Sequence, residues 1–269
     1  MPAGGASSFH LIWRLPGSAR AARLVEVAAV LEVITPPSVP ALYFWALQVD
    51  FVDEGGVWGG GHTGLQWNRR YPGGAAVNWG GYAARELGGK VLEGSVSDLP
   101  GFADDPNTLT YPWQPGRRYR LRVYRSPDVP GAWRADVTDT RSEEVTVIRD
   151  LFPARSRGQS FLRRLFAGGG STSDSQAGGG YLTRPIVWSE VFAHCDAPSV
   201  SVRWSHLQAV DEAGNVFGPD AVSVNYQSAA EGGCPNTSVA TDDAGILQIT
   251  NTQRVVEQGV ILAVPRREM

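Results

Sequence analysis

The sequence predicts an all-β fold, a two-sheet antiparallel β-sandwich or jelly roll with very little helix. Nearly every segment alternates apolar and polar residues with a period of two, and turn residues separate these segments at regular intervals. The chain of 269 residues contains 32 glycines and 18 prolines, more than a helical protein usually carries. Strands that alternate with long helices, the pattern of a parallel sheet, are not found. We therefore expect one β-sandwich domain over residues 1–269.

Two long alternating segments open the predicted sandwich. Residues 22–34 place apolar side chains on one side and both glutamates of the segment on the other, as a half-buried strand does. Residues 41–52 continue the pattern, with large apolar residues on one face and Gln48 and Asp50 on the other. A glycine-rich loop, residues 53–62, follows, and we expect its Trp58 to be exposed because small residues flank it.

The clearest hairpin spans residues 118–139, where SPDVPG turns the chain. Arg118, Arg120 and Arg122 alternate with apolar residues, so they are predicted to form a solvated face whose charges pair across the strands. Short helical turns are predicted at residues 82–87 and 159–166. Further strands are predicted at residues 145–150, 186–195, 200–211, 221–226, 246–250 and 260–264.

Residues 153–185 interrupt the strand pattern with a basic stretch followed by GGGSTSDSQAGGG. This composition is typical of a flexible linker, and we predict an insertion within the single domain. Two interpretations remain open: a mobile loop, or a basic lid that closes over a site on glycine hinges.

Composition argues against several classes of protein. The net charge of −3 is not that of a general nucleic-acid binder, and no apolar run approaches the roughly 20 residues of a membrane helix. No signal peptide is visible, which favours the cytoplasm unless a leader precedes this sequence. We expect a monomer without cofactor, nucleic-acid partner or membrane partner.

Cys195 and Cys234 are the two cysteines of the chain. A disulfide between them would close a loop of about 40 residues and stabilise the fold by roughly 4 kcal/mol on the chain-entropy model. Two free thiols are the alternative, which a cytosolic location would favour. The spacing fits no zinc motif, and we expect no metal site.

Several blocks in order resemble an uncharacterised bacterial family, domain of unknown function 3472, over about residues 40–210. They are YFWALQVDF, GGGHTGLQW, YPWQPGRRYRLRVYR and VWSEVFAHCDAP. The resemblance includes a G-L-Q motif at residues 64–66, a hairpin that begins at Trp113, and a strand with a central acid, Glu190. It implies a β-sandwich similar to concanavalin-like lectins and glucanases. It implies no established activity, so no catalytic residue is carried over.

The strand predicted at residues 186–195 carries the main candidate site. Its period places Trp188, Glu190 and His194 on one face, whereas the opposite face is apolar and suits the core. An aromatic ring can stack on a sugar while a carboxylate and an imidazole bind its hydroxyls. If Glu190 is buried it needs a partner, for which we name Arg203.

Neighbouring strands extend this candidate site. Asp50, Gln66 and Asn68 point outward on their own strands and would face the same groove if those strands lie nearby. The alternative is a packed second layer, in which Trp188 lies beneath the insertion and binds no ligand.

We therefore predict a non-catalytic β-sandwich that binds carbohydrate or another polyhydroxylated ligand, with a glycan as its partner. One alternative is a glycan-cleaving enzyme, a glycoside hydrolase or polysaccharide lyase, for which Glu190 and Asp50 would have to lie about 5–9 Å apart. Another is a structural module that meets an acidic partner through the basic insertion. Common motifs of serine hydrolases, zinc peptidases and nucleotide-binding proteins are not found.

Overall fold

The computed structural model describes residue 2 and residues 4–20, 22–153 and 180–265. Helix in this part of the chain amounts to α1 (Gly17–Arg20) and 3₁₀ turns at Pro72–Gly74, Arg85–Leu87 and Ala229–Glu231. The described residues form 17 strands. They are β1 (Ser7–Arg14), β2 (Leu24–Thr35), β3 (Tyr43–Asp53), β4 (Gly56–Trp67), β5 (Ala75–Ala83), β6 (Gly101–Phe102), β7 (Asp105–Thr110), β8 (Arg118–Arg125), β9 (Trp133–Asp139), β10 (Glu144–Leu151), β11 (Tyr181–Val191), β12 (Ser201–Asp211), β13 (Val216–Phe217), β14 (Ala221–Tyr226), β15 (Ser238–Asp242), β16 (Gly245–Ile249) and β17 (Ile261–Ala263).

The strand pairings in the described part of the chain are all antiparallel, so the predicted fold class is confirmed. A front sheet has the order β17–β14–β1–β11–β3–β4–β5–β7–β6. A back sheet has the order β15–β16–β12–β2–β8–β9–β10, with β13 beside β12. Leu182 of β11 pairs with Leu24 of β2, which joins the two sheets where these two interior strands begin.

The main core lies between the two sheets because each strand turns its apolar residues inward. The front sheet contributes Trp45 and Trp79, and the back sheet contributes Trp133 and Trp204, all with 1% or less of their surface exposed. Trp58, which we expected to be exposed, is buried and stacks on Phe51 at 4.8 Å between ring centroids. That prediction was wrong because the glycine-rich segment is part of β4 rather than a free loop.

The outer face of the back sheet carries the arginines of the predicted hairpin. Arg120 bonds Glu26 at 2.8 Å, and Arg122 Nε donates to Asp136 Oδ2 at 3.1 Å. Asp136 is fully buried, so this row is a partly buried ion-pair network rather than a simply solvated face. Its charges are paired across the strands as predicted.

Two predicted elements differ from the structure. The strand expected at 186–195 is β11, which ends at Val191, because the chain then turns and the amide of Ala197 donates to the carbonyl of His194. The helical turn expected at 82–87 is limited to Arg85–Leu87. The turn expected at 159–166 lies outside the described residues, as does most of the insertion at 153–185.

Candidate functional site

The outer face of the front sheet brings together side chains from five neighbouring strands, in the order β1, β11, β3, β4 and β5. Glu190 on β11 lies opposite Phe44 on β3, which in turn lies opposite Gln66 on β4. In the next row, Trp188 lies opposite Ala46, and Ala46 lies opposite Gly64. Because alternate residues of a strand share a face, these rows form one continuous surface. We call it the front face.

Trp188 is the centre of a small apolar cluster on this face, separate from the main core. Only 5% of its surface is exposed, and its ring contacts Phe44 edge-on at 4.8 Å and His62 at 5.8 Å between centroids. Its Nε1–H donates to Gln48 Oε1 at 3.0 Å. The indole is therefore packed and hydrogen-bonded, which leaves little of its face open for stacking on a sugar.

Glu190 is half-buried beside this cluster. The hydroxyl of Ser8 on β1 donates to its Oε1 at 3.2 Å, and burial raises the pKa of the carboxyl. Arg203, the partner we predicted, instead bonds Glu32 at 2.7 Å and Asp242 at 2.6 Å on the back sheet. Among the described residues no ion pair involves Glu190. A desolvated carboxyl without a cation is a typical candidate for proton transfer.

Gln66 lies on the same row as Glu190, two strand spacings or roughly 10 Å away between Cα atoms. Its side chain is buried, and its Oε1 accepts a hydrogen bond from the Tyr71 hydroxyl at 3.0 Å. Thr108 Oγ1 lies 3.1 Å from the same oxygen. These contacts occupy the oxygen end of the amide.

Asn78 on β5 has a buried polar atom without a partner. Its Nδ2 donates to Thr108 Oγ1 at 3.1 Å, whereas its Oδ1 has no hydrogen-bond partner among the described residues. Asn78 pairs with Gly64, where a Cβ would lie 2.0 Å from the carbonyl oxygen of Trp45. Glycine is therefore required at position 64, because the backbone of β3 occupies the space that a side chain would take.

The two histidines of the front face are neutral near pH 7. Burial lowers the pKa of His62 to about 4, although the charge of Asp105 opposes this shift. Burial also lowers the pKa of His10, whose ring lies edge-on to Trp188. They contribute hydrogen-bonding atoms to the face without contributing charge.

Asp50 lies at the far end of the front face. Its carboxylate pairs with Arg184 at 3.1 Å, and burial raises its pKa while Arg184 opposes the rise. Asp50 lies six positions along β3 from Phe44, which is opposite Glu190, a distance of roughly 20 Å. The pair proposed for glycan cleavage would need carboxyls about 5–9 Å apart, so this alternative was wrong.

Asn68 and His194 lie outside the front face. Asn68 follows the end of β4, and its Oδ1 accepts from the backbone amide of Arg70 in a turn. His194 is exposed in the turn after β11. In that turn the structure joins Cys195 to Cys234 in a disulfide, with the Cα atoms 5.4 Å apart.

Sequence reasoning missed the contribution of β1. Ser8 and His10 reach the front face from this strand, which lies directly beside β11. The signal was present, because the large apolar residues Phe9, Leu11 and Trp13 recur at every second position, and all three are buried.

Comparisons with known proteins find distant similarity to solved structures. No family model and no curated protein matches the chain. A scytalido-glutamic peptidase with a peptide-based transition-state analogue is similar over 94% of this chain and 100% of that one, at 9% identity and a TM-score of 0.41. SCP-B, a member of the eqolisin family of peptidases in complex with the tripeptide Ala-Ile-His, is similar over the same shares at 10% identity and a TM-score of 0.39. No residue role is transferred at this level of similarity.

The predicted function, a non-catalytic carbohydrate-binding protein, is corrected by the structure. The packing of Trp188 removes the physical basis of the prediction, since its ring was to stack on the sugar. The alternative of a partner-binding module relied on an insertion that lies mostly outside the described residues.

No helix in the described residues is long and apolar enough to cross a membrane. No group of three or more histidine, cysteine, aspartate or glutamate side chains there is arranged to hold a metal ion.

Proposed function

We propose that the front face is the active site of a hydrolase that cleaves peptide bonds, with Glu190 as the residue that moves the proton. The observation that carries this proposal is the state of the Glu190 carboxyl. Burial raises its pKa, and Ser8 is the one described hydrogen-bond donor, to one of its two oxygens. A carboxyl with a raised pKa is a better base than an exposed one and can return the proton later as an acid.

The groups around Glu190 match the chemistry of a peptide. A peptide group offers one donor and one acceptor, and the side-chain amides of Gln48, Gln66 and Asn78 offer the complementary atoms. The buried, unpartnered Oδ1 of Asn78 is an acceptor that a substrate N–H would satisfy.

The proposed reaction uses water as the nucleophile. The Glu190 carboxylate takes a proton from water while the oxygen of that water bonds to the carbonyl carbon of the substrate. The amide of Gln66, when its NH₂ end faces the substrate, donates to the oxygen that becomes negatively charged. Glu190 then gives the proton to the nitrogen as the C–N bond breaks, which releases an acid and an amine.

A peptide-cleavage assay tests this proposal. The purified protein is incubated with a mixture of synthetic peptides of varied sequence between pH 4 and pH 8, and new termini are detected by mass spectrometry. We expect cleavage by the wild type and a loss of roughly 10²–10⁴-fold in Glu190→Gln, the usual contribution of a general acid–base residue. Gln66→Ala should lose about 10²-fold or more if its amide stabilises the oxyanion.

A matched control separates the role of Glu190 from a general effect of charge. Glu54 is exposed in the turn between β3 and β4, so Glu54→Gln should cleave like the wild type. The proposal is wrong if the wild type cleaves no peptide at any pH, or if Glu190→Gln retains full activity while its melting temperature is unchanged.

A further inference from the structure

A second cleft, distinct from the Glu190 row, lies where the end of β1 meets α1, the start of β11 and β14. Its volume is about 620 Å³, within the range of sites for small organic molecules. Its apolar lining includes Leu15, Leu24 and Leu182, and its polar lining includes Arg14 and Arg184. The cleft therefore combines an apolar wall with two cations.

Each of the two arginines has guanidinium N–H groups beyond those used in its described contacts. Arg14 uses its Nε to donate to Ser223 Oγ at 2.6 Å, which orients the group and leaves its terminal nitrogens for a ligand. Arg184 contacts Asp50 through Nη1 at 3.1 Å. A guanidinium binds a carboxylate in a fork of two hydrogen bonds, so two of them at one cleft favour an anionic group.

Trp13 gives independent evidence that a ligand belongs in this cleft. It lines the cleft and is 6% exposed, yet its Nε1–H has no hydrogen-bond partner among the described residues. Leaving a buried donor unsatisfied costs free energy, and a ligand oxygen would remove that cost.

The backbone at Arg184 is held in an uncommon conformation. Its φ is +48°, and it lies in the bulge of β11 between Thr183 and Ile186. Such conformations persist where the surrounding structure fixes them, and they occur often at ligand sites. The bulge places Arg184 in the lining of the cleft.

We propose that this cleft binds an N-acylated amino acid with an apolar side chain, the chemical group found at the C-terminus of a peptide. The carboxylate lies against Arg14 and Arg184. The apolar side chain lies against Leu15 and Leu182, and the acyl oxygen accepts from Trp13. The cleft is roughly 20 Å from Glu190 along β1, so binding here does not depend on the proposed hydrolysis.

Isothermal titration of the intact protein with N-acetyl-leucine tests this proposal, with N-acetyl-leucine amide as the neutral control ligand. We expect the acid to bind and the amide to bind at least about fivefold more weakly, because a charged hydrogen-bonded contact is lost. Arg14→Gln and Arg184→Gln should each weaken binding of the acid by roughly three- to tenfold. Trp13→Phe, which retains a ring, should weaken the acid and the amide by similar factors.

Two control variants make the outcome decisive. Arg69→Gln removes an exposed arginine outside the cleft and should bind like the wild type. Glu190→Gln should also bind like the wild type, which separates this site from the proposed hydrolase. The proposal is overturned if N-acetyl-leucine does not bind, if the amide binds equally well, or if both Arg14→Gln and Arg184→Gln bind like the wild type.

Discussion

The outer faces of the two sheets differ in whether their buried polar groups have partners. On the outer face of the back sheet, partly buried charges have an opposite charge beside them, as Arg122 has Asp136 and Arg203 has Glu32. On the front face, Glu190 is desolvated without a cation, and Asn78 has a buried acceptor without a donor. A row of paired charges stabilises the fold, whereas unused polar groups beside a packed aromatic cluster indicate a site.

The largest effect is expected at the aromatic cluster. Trp188→Ala removes a buried ring and its hydrogen bond to Gln48, and should lower the free energy of unfolding by about 3–5 kcal/mol. Urea unfolding measures this change. Tyr82, which is 51% exposed on the same face, is the control, and Tyr82→Ala should change stability by about 0.5 kcal/mol or less. Equal losses in the two variants would show that the cluster is not packed.

The back sheet should respond most strongly where a charge is buried. Arg122→Ala leaves the fully buried Asp136 without its cation and should cost about 3 kcal/mol. Arg118, which is more exposed and lies 3.5 Å from Glu32, is the matched control, with an expected cost of about 1 kcal/mol or less. If both substitutions cost the same in urea unfolding, the distinction between buried and exposed pairs on this face is wrong.

Period-two alternation predicted much of this arrangement. It placed Trp188 and Glu190 on one face of a strand, and the arginines of β8 on another, because side-chain direction on a strand follows from sequence alone. It did not reveal that β3 lies between β11 and β4, since strand order depends on contacts between distant segments. The alternation therefore could not predict that Glu190 and Gln66 lie in the same row. His194 was misplaced because the strand ends before the turn that carries Cys195.

A smaller effect on stability is expected from His62 on the front face as pH falls. The pKa of His62 is lowered to about 4, so between pH 6.5 and pH 4 the unfolded chain binds a proton that the folded protein does not. Stability should fall over this window, by up to about 2 kcal/mol from this group at pH 4.5. In His62→Gln the loss between pH 7 and pH 4.5 should be smaller by this amount. Identical pH dependence of the two proteins in thermal melts would contradict the burial of His62.

Glu190 should show the opposite pH dependence. Because its pKa is raised in the folded protein, the folded state favours the protonated form, and the group destabilises the fold as pH rises past 4.5. Glu190→Gln should therefore be more stable than the wild type at pH 7 and equally stable at pH 3. The measurement is the difference in melting temperature at the two pH values. A variant that is less stable than the wild type at pH 7 would show that the ionised carboxyl is favourably bound.

The most direct test of the account is the ionisation of Glu190 itself. Carboxyl carbons of protein labelled with ¹³C-glutamate are followed by NMR from pH 3 to pH 8, and the Glu190 signal is identified by its loss in Glu190→Gln. We expect this signal to titrate above the ordinary value of 4.5, since the front face desolvates the carboxyl without supplying a cation. A Glu190 signal that titrates at or below 4.5 would contradict the account, because the front face would then hold an ordinary carboxylate.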